Sequence, residues 1–149
     1  MLENHETKNG ARWVLSVAGA LLFLTRSNVA SSQAPFDLAV DDMSVKQVSS
    51  TPMFRTVDIT CTVQNRGPGP SKVTASVVFS RPGDDGPKIL KAVPLPRLLE
   101  PGATFQAQAQ GSAWATASVP YRCEIQFSGA FAGGDGNADN NAAEFTFPK

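Results

Sequence analysis

From Phe36 to Phe147 apolar and polar residues alternate in short runs separated by Gly, Pro, Asn and Asp. A period of two puts every second side chain on one face, so each run predicts a strand with one dry face and one wet face. Val57, Ile59, Cys61 and Val63 point one way, and Asp58, Thr60 and Thr62 the other. Tyr121, Cys123, Ile125 and Phe127 alternate likewise with Arg122, Glu124 and Gln126. Runs of the same kind cover Val73–Phe79, Ala103–Gln110 and Ala143–Phe147. The first run, Phe36, Leu38, Val40, changes phase to Met43 and Val45, as an edge strand with a β-bulge does. A shorter run at Ile89–Val93 is followed by Pro94 and Pro96, which lack a ladder donor and so place it at a sheet edge. About seven strands, each half dry, predict two antiparallel sheets stacked around a single core.

Cys61 and Cys123 both fall on inward positions, in the second and sixth strands. A bridge between those two strands crosses the core of an immunoglobulin-like sandwich, and a corner tyrosine stands two residues before its second cysteine, where this chain has Tyr121. The expected fold is therefore an all-β, two-sheet antiparallel immunoglobulin-like sandwich held by a Cys61–Cys123 disulfide. Two reduced, buried thiols are the plainer alternative, which applies if the chain stays in a reducing compartment. A redox-active pair is disfavoured, because the cysteines are far from a Cys-x-x-Cys spacing.

The amino terminus changes the compartment. Lys8 and Arg12 precede an apolar run from Trp13 to Leu24, with small residues and candidate cleavage points at Ala30 and Ala34 behind it. This is the layout of a secretory signal peptide over 1–34, leaving a domain over 35–149. A short membrane anchor is the weaker reading, since Ser16, Gly19 and Arg26 hold the run below the about 20 apolar residues that span a bilayer. No stable membrane insertion is expected after signal removal, and the protein is expected to be secreted or periplasmic. The part from Pro35 carries 10 Lys and Arg against 11 Asp and Glu, a net charge of −1. Its basic residues stand singly, without the patch or stripe that nucleic acid requires.

The order of these features resembles the CARDB family, the cell-adhesion-related domain found in bacteria, over about 35–147. The residues that carry the resemblance are Phe36-Asp37-Leu38-Ala39-Val40, the turn Val63-Gln64-Asn65-Arg66-Gly67, Trp114 ahead of Pro120-Tyr121, and Asn140-Asn141. It implies a small sandwich doing extracytoplasmic adhesion or protein-interaction work, without catalysis. The two cysteines are not part of that resemblance, and the third strand has no tryptophan of the antibody kind.

Little catalytic chemistry is on offer. The only histidine, His5, lies in the expected leader, which removes the general base of most hydrolytic triads. Asp41-Asp42 and Asp84-Asp85 fit solvated turns. Asp135, Asn137 and Asp139 offer oxygen ligands at alternate positions, as a calcium loop begins, but Asn140 stands at the turn glycine and Thr146 where a bidentate glutamate belongs. A loop capped by its own Asn and Asp side chains is the plainer reading. Trp114 is expected to plug one end of the core rather than to stack on sugars. The function expected is thus a non-catalytic binding or adhesion module for a protein or cell-surface component, with no cofactor. A carbohydrate-binding module or a structural accessory of a secreted assembly are the alternatives. Exposed, coplanar aromatic residues would favour the carbohydrate reading, for which Phe131 and Phe54 are the remaining candidates.

Overall fold

A computed structural model describes residues 35–129 and 134–148. The expected leader over 1–34 and Phe131 lie outside the described residues. Seven strands are formed: β1 Leu38–Ser50, β2 Phe54–Asn65, β3 Ala75–Gly83, β4 Gly86–Pro94, β5 Thr104–Trp114, β6 Val119–Phe127 and β7 Ala142–Phe147. They make two antiparallel sheets, ordered β1-β2-β5 and β4-β3-β6-β7. The fold is an all-β two-sheet sandwich of the immunoglobulin-like kind.

The sheets face each other because their inward residues are almost purely apolar. In β2 every second residue from Arg55 to Asn65 is buried, and in β3 Val77 and Phe79 are fully enclosed. Leu38, Val57, Ile59, Val63 and Tyr121 complete the centre of the core. Cys61 and Cys123 sit at 0% exposure and form a disulfide that joins β2 of one sheet to β6 of the other. The largest core ring, Tyr121, reaches across to β5, where Gly111 makes room for it. A Cβ at Gly111 would meet Tyr121 Cε1 at 2.8 Å.

Several local features refine the sequence reading. The phase change in β1 is a register shift between Val40 and Asp42, so Asp41-Asp42 occupies a strand bulge instead of a turn. A bulge inserts an unpaired residue and swaps the inward parity, which restores Met43 and Val45 to the core. Asp84-Asp85 does form a turn, between the paired Gly83 and Gly86 that close the β3–β4 hairpin. β4 is a sheet edge, as its prolines require, but it is longer than expected. Val73 is buried just ahead of β3.

Candidate functional site

The two ends of the sandwich treat their polar groups in opposite ways. At the end where β2 finishes, Asn65 is fully buried and all its amide valences are used. Its Oδ1 accepts from the backbone N–H of Asp37 (3.2 Å) and Gly67 (3.1 Å), and its Nδ2 donates to the carbonyls of Gly69 (2.8 Å) and Leu99 (2.9 Å). One side chain thereby ties three loops to β2. The approach is close enough that a Cβ at Gly67 would fall 2.5 Å from the backbone of Phe36 and Asp37.

Asp135 fastens the same end from the other sheet. Its Oδ1 accepts from Leu38 N–H at 3.0 Å, and its Oδ2 accepts from Asn141 Nδ2. Asn140 Nδ2 donates to Asp37 Oδ1 at 3.0 Å, and Gly136 N–H donates to Phe36 O at 2.8 Å. Asn137 caps the 3-10 turn Ala138–Asn140 by accepting from Asp139 N–H at 3.1 Å. Of the three residues at alternate positions, Asp135 and Asn137 therefore have their oxygens turned to backbone and amide donors of the protein. Among the described residues no three of His, Cys, Asp and Glu gather at metal-binding range. The polar atoms left without a partner at this end are two acceptors, Oδ1 of Asn140 and of Asn141.

At the opposite end the leftover atoms are donors. Arg55 is inward and 6% exposed, and its Nε and Nη2 have no hydrogen-bond partner. The Nε of Arg81 and the hydroxyl of Tyr121 are also buried without one. Arg55 places its guanidinium carbon 5.3 Å from the centroid of the Phe147 ring, a cation–π contact that leaves the N–H groups unanswered. The ion pairs among the described residues are Arg66–Asp41 and Arg122–Glu124, so neither Arg55 nor Arg81 is neutralised by a carboxylate there. Burial pushes the Tyr121 hydroxyl above its ordinary pKa, while the positive charges of Arg81 and Arg55 pull it partly back. These three residues thus share one electrostatic environment.

An aromatic pair covers the outside of this end. Phe54 opens β2 and Trp114 closes β5, and the two are direct cross-strand partners. Their rings stack at 4.4 Å between centroids and 25° between planes, with Trp114 56% and Phe54 46% exposed. Met53, also exposed, accepts from Ala115 N–H at 2.9 Å and closes the loop beside the rings. Trp114 is therefore on the outer surface, and the expectation that it plugs the core is wrong. The reason is parity. β5 does not stop at Gln110 but continues through Gly111 and Ala113, both inward, which places Trp114 on the outer face with the glutamines.

Two depressions meet at Arg81. One of about 90 Å³ lies among Phe54, Ser112, Ala113, Trp114 and Arg81. The other, about 320 Å³, runs from Arg81 over the outer face of the second sheet and is bounded by Pro82, Pro87, Pro120, Arg122 and Glu144. The ring of Tyr121 is in the core as the sequence implies, and its hydroxyl makes no hydrogen bond there. Arg55 and Arg81 went unremarked in the sequence because each lies just past the apolar part of its strand. Counting the alternation outward from Val57 and Phe79 would have put both inside.

No protein-family model and no curated protein matches the chain. Among solved structures it is similar to the ApaA protein of Bordetella pertussis, at 18% identity and a TM-score of 0.40, over 75% of this chain and 89% of that one. It is also similar to parts of β-glucosidase 3B from Thermotoga neapolitana, at 16% identity, TM-score 0.38, over 74% of this chain and 15% of that one. A third likeness is to β-glucuronidase 2 of Bacteroides uniformis, at 14% identity, TM-score 0.41, over 72% of this chain and 13% of that one.

Proposed function

We propose that the chain is a non-catalytic, extracytoplasmic binding module that engages a protein or cell-surface component through the end bearing Phe54 and Trp114. The observation that carries this reading is the stacked pair itself. Two large rings held half in water by a regular strand pairing bury apolar surface only when something else covers them. Tryptophan on a rigid scaffold is also the side chain most often found to dominate a binding interface. The setting is in keeping with the adhesion work implied by the CARDB resemblance. A structural disulfide suits an oxidising compartment, and among the described residues no helix is long and apolar enough to cross a membrane, which is compatible with a secreted or periplasmic protein.

The exposed Trp114 also gives the carbohydrate reading an observation in its favour, since the outer face of the indole is open to a sugar ring. The pair is stacked face to face, however, and so presents one ring breadth in place of the coplanar strip that a glycan chain would follow. The deciding experiment compares the oxidised protein with Trp114→Ser and Phe54→Ser in affinity capture from an envelope extract, with a glycan panel alongside. Loss of at least about tenfold in affinity for a protein partner, at unchanged melting temperature, is expected for the tryptophan variant. Undiminished capture by both variants would remove this end from the interface, and binding confined to glycans would favour the second reading.

A further inference from the structure

We infer that the depression walled by Arg81 and the aromatic pair is a carboxylate site, and that its ligand is an acidic side chain of a protein partner. This deepens the binding-module reading and rests on it. The starting point is the imbalance between the two ends. Polar groups left over where β2 ends are amide oxygens, whereas those left over where β2 begins are the Nε and Nη2 of Arg55, the Nε of Arg81 and the hydroxyl of Tyr121. All four atoms can donate, and among the described residues no carboxylate pairs with either guanidinium.

A buried guanidinium with unanswered N–H groups is among the more costly things a small domain can hold. Apolar residues of similar size would serve packing better, and the contact of Arg55 with Phe147 leaves its Nε and Nη2 unanswered. An oxyanion would supply several acceptor lone pairs at once, and guanidinium groups bind carboxylates in a planar, two-pronged geometry. Arg81 is the member that reaches the surface, where it forms part of the wall of the 90 Å³ depression together with Ser112 and the two aromatic rings. Arg55 lies deeper, against Phe147, and adds its charge to the same region, as the effect of both arginines on Tyr121 indicates.

Size and lining choose among anions. A depression of this volume takes a carboxylate and the methylene beside it. Its apolar walls, Phe54, Ala113 and Trp114, suit the stem of a glutamate or aspartate side chain, whereas a phosphate ester would bring three hydrated oxygens against the same rings. The partner would thus place an acidic residue on Arg81 while its neighbouring apolar surface covers Trp114.

The test uses the full oxidised chain and four small probes at constant ionic strength: N-acetyl-glutamate amide, glucuronate, inorganic phosphate, and chloride as reference. Side-chain Nε–H resonances of Arg81 and Arg55 are followed by NMR together with the thermal midpoint. The blocked glutamate is expected to shift the Arg81 resonance saturably and to raise the midpoint, with Arg81→Gln losing both responses. Because no carboxylate among the described residues pairs with Arg55, whose contact with Phe147 leaves two of its N–H groups unanswered, Arg55→Met is expected to raise the midpoint in the absence of probes and to weaken the response to glutamate. Silence of both resonances toward every probe, or a response to phosphate or glucuronate alone, would falsify the assignment. So would a fall in the midpoint of Arg55→Met. Each of those outcomes leaves the aromatic surface standing if Trp114→Ser still abolishes partner capture, whereas intact capture by that variant defeats the interface reading whatever the probes do.

Discussion

Asn65 shows how much of a small sandwich can hang on one side chain. Its buried amide serves two backbone N–H groups and two backbone carbonyls from three separate loops, those of Gly67 and Leu99 buried and those of Asp37 and Gly69 partly so. Truncation would leave the Gly67 N–H and the Leu99 carbonyl buried without partners, at a penalty of about 1 kcal/mol or more each, and would strip the partly buried Asp37 and Gly69 groups of theirs at a smaller cost. Asn65→Ala is therefore expected to lower the unfolding free energy by about 3 kcal/mol, measured by urea denaturation. Asn65→Asp should not rescue it, since a carboxylate can accept from Asp37 and Gly67 but cannot donate to Gly69 and Leu99. A loss no larger than that of an ordinary surface substitution would show that the loops are held by something else. Tyr121 gives a second residue-level prediction. It is the only tyrosine in the chain, so phenolate absorbance reports it alone. Its folded pKa lies above the ordinary value of 10.0, mainly through burial. The folded state consequently holds its proton when the unfolded chain has released it, and stability is full below pH 10 and falls as pH rises beyond that value. Alkaline titration should show the phenolate signal appearing together with loss of tertiary structure. An ionisation at the ordinary pKa with the fold intact would contradict the burial of the hydroxyl.

At the scale of elements, most of what the strands do was legible in their alternation, and the failures are informative because they share a cause. β2 and β6 read correctly because a branched, aromatic or cysteine residue marks each inward position, from Val57 to Val63 and from Tyr121 to Ile125. Trp114 read incorrectly and Arg55 went unread because alternation by hydrophobicity loses its signal where a strand carries an outward ring or an inward cation. The strand continues in both places, and the pleat carries the parity past the point where residue chemistry stops advertising it. Such places are where function tends to depart from the folding pattern. The Asn65 and Asp135 clamps were unreadable for a different reason, since their partners are 28 and 97 residues away in the chain. The same view of strands predicts their dynamics. β4 is a sheet edge whose backbone ladder runs to β3 alone, carries Pro87 and Pro94, and is exposed along almost its whole length. β6 lies between β3 and β7, with Tyr121, Cys123 and Ile125 in the core. Hydrogen exchange should be fastest in β4 and slowest in β6 and the facing stretch of β2. Equal protection across β4 and β6 would mean that the second sheet opens only as a whole.

For the whole molecule the decisive link is the one between sheets, because within each sheet the ladders already supply backbone hydrogen bonds, while the facing inner surfaces meet by packing and hydrogen bonds between the sheets lie at the ends and edges. Cys61 and Cys123 supply a covalent link at its middle, joining the central strand of one sheet to an interior strand of the other. With a sequence separation of 62 between them, the bridge removes a large set of open conformations from the unfolded chain and is worth about 4 kcal/mol on the chain-entropy account. That is a large part of the 5–15 kcal/mol typical of a domain. Both sulfurs are at 0% exposure, so a reductant reaches them only after the sheets part. Native protein should accordingly show no alkylation by iodoacetamide in mass spectrometry, with or without mild reductant, and two adducts once denatured and reduced. Cys61→Ala with Cys123→Ala should lower the urea midpoint by an amount matching about 4 kcal/mol and leave the β-sheet circular dichroism in place below the transition. Two sulfurs alkylated without denaturant would mean that the sheets are not joined. In that case the arginines at one end and the amide clamp at the other would have to hold their geometry through packing alone.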